Sequence, residues 1–381
     1  MELTTVRFST QDGWSAALPK IDSGNTLVTV FGASGFDDRT EAIRELLDAY
    51  PRAQITGCST SGEIWQSEVS DDSLAVAIAR FERSEVRSAT RPVASVADSF
   101  AAGRELAEEL HADDLRAILV LSDGLAVNGS ELVRGLNTVL PSSVVATGGL
   151  AGDGPRFQRT WVLSREGTRA GLVSAVGLYG DALRVGHGSK GGWDIFGPER
   201  VVTRSAGNVL YELDGKPALH LYKQYLGERA AGLPATALLF PLSLRSSTRD
   251  DKPLVRTVLA VDEAAQSMTF AGDVPQGSLA QLMRANFERL IDGASQAALH
   301  TNRTAGQSGA ELPTLAIAIS CVGRRLVLGE RTEEEIEASL DVLPRGTRQV
   351  GFYSYGEISP YATGQCDLHN QTMTLTTIAE A

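Results

Sequence analysis

LLDAYPRAQITGCSTSGEI (46–64) returns without a gap as LNTVLPSSVVATGGLAGDG (136–154), and this repetition decides the fold. Leu46 aligns with Leu136, Pro51 with Pro141, Gly62 with Gly152 and Glu63 with Asp153. A third copy is split: LDVLPRG (340–346) parallels LDAYPRA (47–53), and after a small insertion VGFYSYGEI (350–358) parallels TGCSTSGEI (56–64), so that Gly356 and Glu357 match Gly62 and Glu63. The β-branched and aliphatic runs LVTVF (27–31), AILVL (117–121) and LAIAI (315–319) stand before the three copies and read as strands. Each copy is therefore a strand–helix–strand unit whose helix stops at a proline and whose second strand breaks at a glycine–acid corner. A crossover of this kind favours parallel pairing.

Outward from the repeat, Ile43, Leu46, Leu47 and Tyr50 recur at helical spacing, as do Leu132, Val133, Leu136 and Leu140. Asn128 with Glu131, and Thr332 with Glu335, have the spacing of capping boxes. TALLFPL (236–242) reads as a strand, and the helix-poor stretches 157–185 and 236–284 favour antiparallel hairpins. The expected fold class is mixed α/β, with mixed sheets and helices on their outer faces. At 381 residues the chain suits two domains. The glycine-rich GHGSKGGWDIFGPER (186–200) is an inter-domain connection or a ligand-facing loop, and a division near residue 212 gives domains 1–212 and 213–381.

Composition narrows the function. A net charge of −12 opposes non-specific binding to nucleic acid or anionic lipid, and 6% aromatics offer no base-stacking platform. The opening MELTTVRFSTQDGW lacks the form of a signal peptide, and apolar runs such as LAVAIA (74–79) are strand-length. Cys58, Cys321 and Cys366 form no CxxC, and the five histidines form no HxxxH or HxH pair. A cytoplasmic, membrane-free protein without a structural metal is expected.

The blocks GCSTSGEI (57–64), GGLAGDG (148–154), GNVLYELDGKPALHLYKQYLG (207–227), FPL (240–242), RANFERLIDGA (284–294), SCVGRRLVLG (320–329), GFYSYGEISP (351–360) and CDLHNQTMTL (366–375) resemble, in order, those of the FIST family. FIST stands for F-box and intracellular signal transduction, and the resemblance spans roughly residues 26 to 378. It implies FIST N-terminal and C-terminal domains in tandem, acting as sensory modules for small ligands such as amino acids. Family members occur beside or fused to histidine kinases and cyclic-dinucleotide enzymes, and one subgroup is similar to haem-binding nitric oxide sensors. No kinase, receiver or GGDEF module follows residue 378, so output through a separate protein is expected.

Candidate chemistry is sparse. Ser59 has Gly57 before it but Ser61 after it, so the GxSxG elbow fails, and Cys58 has no following helix to lower its pKa. Glu63, Asp153 and Glu357 either meet a cationic ligand group or accept N–H bonds from their own turns. GGLAGDG (148–154) and GSKGG (188–192) miss the P-loop and dinucleotide fingerprints and read as turns. His187, flanked by glycines that would admit a ligand, and His369, just before a strand, are candidate axial ligands if haem is bound. Arg324, Arg325 and Lys190 could hold an anion or form surface ion pairs. The expected ligand-binding set is Cys58, Glu63, Asp153, Glu357 and His369, in a non-enzymatic sensor whose ligand sits between the two domains. The alternatives are a haem-based nitric oxide sensor, a Cys58-dependent hydrolase or transferase, and an interaction module with no ligand.

Overall fold

The computed structural model describes residues 1–233, 235–245, 254–304, 312–360 and 365–381. The fold is mixed α/β, and the repeated crossover lies inside a larger plan that occurs three times. In unit one an edge strand (Glu2–Ser9) precedes a central strand (Thr26–Ala33), a helix (Glu41–Ala49) and an outer strand (Gln54–Thr60). A short hairpin (Glu63–Trp65 and Glu68–Ser70) and a return strand (Ser73–Arg80) follow. Unit two has Glu85–Pro92, Leu115–Ser122, Gly129–Asn137 and Val145–Leu150 in those roles, then the hairpin Val162–Ser164 with Gly167–Arg169 and the return strand Leu172–Tyr179. Unit three has the edge strand Leu183–Lys190, the central strand Thr314–Cys321, helices Val322–Leu328 and Thr332–Leu340, and the outer strand Arg348–Ser354. Its hairpin is Gly356–Pro360 with Cys366–His369, and its return strand is Met373–Glu380.

Pairing follows one rule in all three units. Central and outer strands are parallel, as the crossover requires, and the return strand runs antiparallel between the central and edge strands. The hairpins are exchanged in a ring. Unit one's hairpin pairs with the outer strand of unit three, unit three's with unit two, and unit two's with unit one. The resulting sheets have six, six and seven strands, the seventh being a short edge at Gly13–Trp14.

Strand alternation assigns the two faces of each sheet. On the central strands Val28 and Val30, Ile118 and Val120, and Ala316 and Ala318 face their own unit's helices. Leu27 and Phe31, Leu119 and Leu121, and Ile317 and Ile319 face inward into one shared core. There Phe31 of unit one stacks on Phe352 of unit three, with ring centroids 4.9 Å apart. Units two and three each add a further outer helix, Ser99–Leu110 and Phe287–Thr304.

Between the edge strand of unit three and helix Phe287–Thr304 lies a nine-stranded sheet, antiparallel throughout, with its own core around Leu210, Tyr222 and Phe270. Residue 212 falls in its strand Val209–Leu213. Two local expectations fail. Ala235–Leu239 is a 3-10 turn and the strand begins only at Leu242, because Pro241 has no N–H for a ladder while Ala237 and Phe240 turn into the core. The Thr332–Glu335 capping box does not form, because Glu335 is drawn inward to the buried Arg324. Asn128 does cap its helix, accepting from the N–H groups of Ser130 and Glu131.

Candidate functional site

The repeat ends each crossover in a glycine–acid corner, and two of these corners share one hydrogen-bonding plan. Glu63 is 1% exposed and accepts bonds from the Ser73 N–H (3.0 Å), the Ser73 hydroxyl (2.9 Å) and the Thr60 hydroxyl. Glu357 repeats this arrangement, accepting from the Thr372 N–H (3.1 Å), the Thr372 hydroxyl (2.9 Å) and the Ser354 hydroxyl (2.7 Å). Each carboxyl ties the corner to the start of the return strand. Burial pushes both up to about 7, against the hydrogen bonds that pull them down.

Asp153 is not their counterpart. Gly57, Gly148 and Gly351 lie opposite Val30, Val120 and Ala318, whose carbonyl oxygens leave no room for a side chain. They also lie opposite Leu163, Ile358 and Ile64 of the exchanged hairpins. That register puts Val162 where the other hairpins have Glu63 and Glu357, and loops out residues 151–161. The gapless alignment of Glu63 with Asp153 is therefore a coincidence of sequence. Asp153 instead closes the loop, accepting from Ser34 (2.5 Å), from the N–H groups of Gln158 and Arg159, and from Arg156. Burial acts to raise its carboxyl, but Arg156 and Ser34 outweigh that and hold it below the usual range.

This unmatched loop forms one wall of a cleft of about 880 Å³. Unit one contributes Ser34, Arg39, Thr60, Ser61, Glu63, Asp71 and Asp72; unit two contributes Arg156 and Arg159; and unit three contributes Val322, Arg325, Leu326 and Glu333. All four arginines end on carboxylates: Arg39 on Asp72, Arg156 on Asp153, Arg159 on Asp38, and Arg325 on Asp71 through two bonds of 2.8 Å. Arg325 also donates to the Ser61 carbonyl (2.6 Å), joining unit three to the corner of unit one. Charges of both signs thus line one concave surface at the ends of strands, an arrangement that can take a small zwitterion.

A second cavity of about 810 Å³ lies between unit three and the inserted sheet. It brings together His187, His300 and His369 with Lys190, Arg289, Arg303 and the apolar Trp193, Val255 and Met283. The glycines flanking His187 have a packing role. Gly186 and Gly188 let helix Phe287–Thr304 approach, its Thr301 and Ala297 carbonyls occupying the space a side chain would need. His369 is 6% exposed and lies 3.3 Å from the Ser359 carbonyl.

Cys58 lies in the shared core at 0% exposure, and burial pushes its thiol well above the usual range, so a thiolate nucleophile is disfavoured. Arg324 is equally buried, bonded to Glu335 (2.7 Å) and to the Leu290 carbonyl. Asp71, Arg39, Arg156 and Arg159 went unnoticed in the sequence because they stand in no motif and meet only through hairpin exchange. Among the described residues, no group of three or more His, Cys, Asp or Glu could hold a metal ion. No helix among them is long and apolar enough to cross a membrane.

The family comparisons agree with this architecture. A FIST N domain model matches residues 26–216 and a FIST C domain model matches residues 218–360. FIST domains are associated with signal transduction and small-ligand sensing. No curated protein matches the chain. A crystal structure of cyanuric acid hydrolase from A. caulinodans aligns over 78% of this chain and 99% of that one, at 12% identity and a TM-score of 0.20, too distant to carry an argument.

Proposed function

We propose, on the premise that this chain belongs to the FIST family and carries its N and C domains in tandem, that it is a non-enzymatic sensor of a small zwitterionic molecule such as an amino acid. The supporting observation is the 880 Å³ cleft, with Ser34 to Arg159 on the FIST N side and Val322 to Glu333 on the FIST C side. A ligand carboxylate would compete with Asp71 for Arg325, and its ammonium group would be met by the acids that line the cleft. Breaking the Arg325–Asp71 link would alter how unit three sits on unit one, and a separate signalling protein, such as a histidine kinase or a cyclic-dinucleotide enzyme, would read that change. Thermal unfolding with each protein amino acid tests the reading. A true ligand at a hundredfold excess over its Kd adds about 2.7 kcal/mol, and Arg325→Met should abolish that gain. No shift with any amino acid would refute the reading.

Haem is the second reading, favoured by His187 and His369 lining one cavity. The apolar walls there would hold the macrocycle, the cations its propionates, and His187 its iron. The iron would supply the gas-binding position. A Soret band lost in His187→Ala supports this reading, and colourless protein after reconstitution with haemin refutes it.

A further inference from the structure

The cations of the two cavities are used differently. In the first cleft every arginine is neutralised by a carboxylate of this chain. In the second, Arg289 is held by Asp194 at 2.7 Å, but Lys190 and Arg303 form no ion pair among the described residues. Among the described residues, Asp292 is the one carboxylate lining it. Around this concavity the protein, with its net charge of −12, reverses sign. A pocket with an excess of one sign, walled by apolar side chains, focuses its field on whatever enters. Its 810 Å³ is within the range of small-molecule sites.

We propose that this cavity is a second binding site, for a small organic anion with two or more acidic groups on an apolar body. Lys190, at the end of the edge strand of unit three, and Arg303, in the last turn of helix Phe287–Thr304, take the acidic groups. Trp193, Val255 and Met283 take the body. Because the lining comes from unit three and from the inserted sheet, an occupied cavity ties the two together. The inference does not rest on the amino-acid reading, since it uses different side chains, and it competes with the haem reading for the same cavity, from which it differs in needing no iron ligand.

Calorimetric titration of the full chain with ADP, 1-naphthyl phosphate and benzene-1,3-dicarboxylate tests it, with pyrophosphate as the control that lacks an apolar body. The expected result is saturable binding of at least one probe, weakened about a hundredfold in Lys190→Ala/Arg303→Ala, at about tenfold per cation removed. Both side chains are exposed, so the variant should keep the parent melting temperature, and any amino-acid binding at the first cleft should be unchanged. The proposal is overturned if no probe saturates below about 1 mM, or if the double variant binds as the parent does. It is also overturned if haemin alone binds, with a Soret band lost in His187→Ala, while the three probes stay silent.

Discussion

Consider urea unfolding of the chain at pH 5 and at pH 8. Glu63 and Glu357 titrate near 4.5 in the unfolded chain, whereas burial lifts both to about 7 in the folded one. Between those values the folded state holds protons that the unfolded state has released, so stability is highest at the acid end and falls as pH rises towards 7. A rise from 4.5 to about 7 corresponds to about 3 kcal/mol per carboxyl, of which about 2–3 kcal/mol is lost between pH 5 and pH 8. Both groups are fully buried, so solvent does not discount the effect. The difference between parent and Glu63→Gln/Glu357→Gln is the diagnostic quantity, because it cancels every ionisable group the two chains share. Glutamine keeps an acceptor for the Ser73 and Thr372 donors and cannot ionise. The variant should therefore lose about 4–6 kcal/mol less than the parent between the two pH values. Equal slopes for parent and variant would refute the assignment of buried, elevated carboxyls to the two corners.

Arg324→Met should cost about 3–5 kcal/mol in urea unfolding, because it strands the fully buried Glu335, and Arg324→Met/Glu335→Leu should recover much of the loss. Gly351→Ala should cost more than about 4 kcal/mol or prevent folding, since its methyl group would meet the Ala318 carbonyl; Gly346→Ala, in open space, should cost only about 1 kcal/mol of backbone strain. Ellman titration should find no reactive thiol in the native chain and three in urea, because Cys58, Cys321 and Cys366 are all buried. A single fast-reacting native thiol assigned to Cys58 would revive the nucleophile.

What the sequence made legible was the local unit. Strand, helix, proline stop and glycine–acid corner are encoded within some twenty residues, and the parallel pairing follows from the crossover alone. The exchange of hairpins was not legible, because Glu63 to Trp65 pair with a strand nearly three hundred residues away, at Val350 to Phe352. The same distance hid the cleft, whose Arg325 and Asp71 are brought together only by that exchange. Asp153 misled because a Gly-Asp pair fell by chance at the offset of the corner, while the backbone register counts from Gly148 and reaches Val162. His187 and His369, which the sequence offers as candidate haem ligands, line one cavity, and the glycines beside His187 have a packing role.

The circular handover of hairpins has a practical consequence for anyone dividing this chain. Scissors placed between the two matched regions, near residue 217, would leave the first half with one finished sheet, a second whose flank at Val145–Leu150 is bare, and a hairpin at 63–70 with nowhere to go. Bare flanks of that kind recruit strands from other molecules, so the halves would aggregate before they could be studied singly. Like a three-legged stool, the assembly stands only when every leg is present, and melting should be a single event for the whole triad.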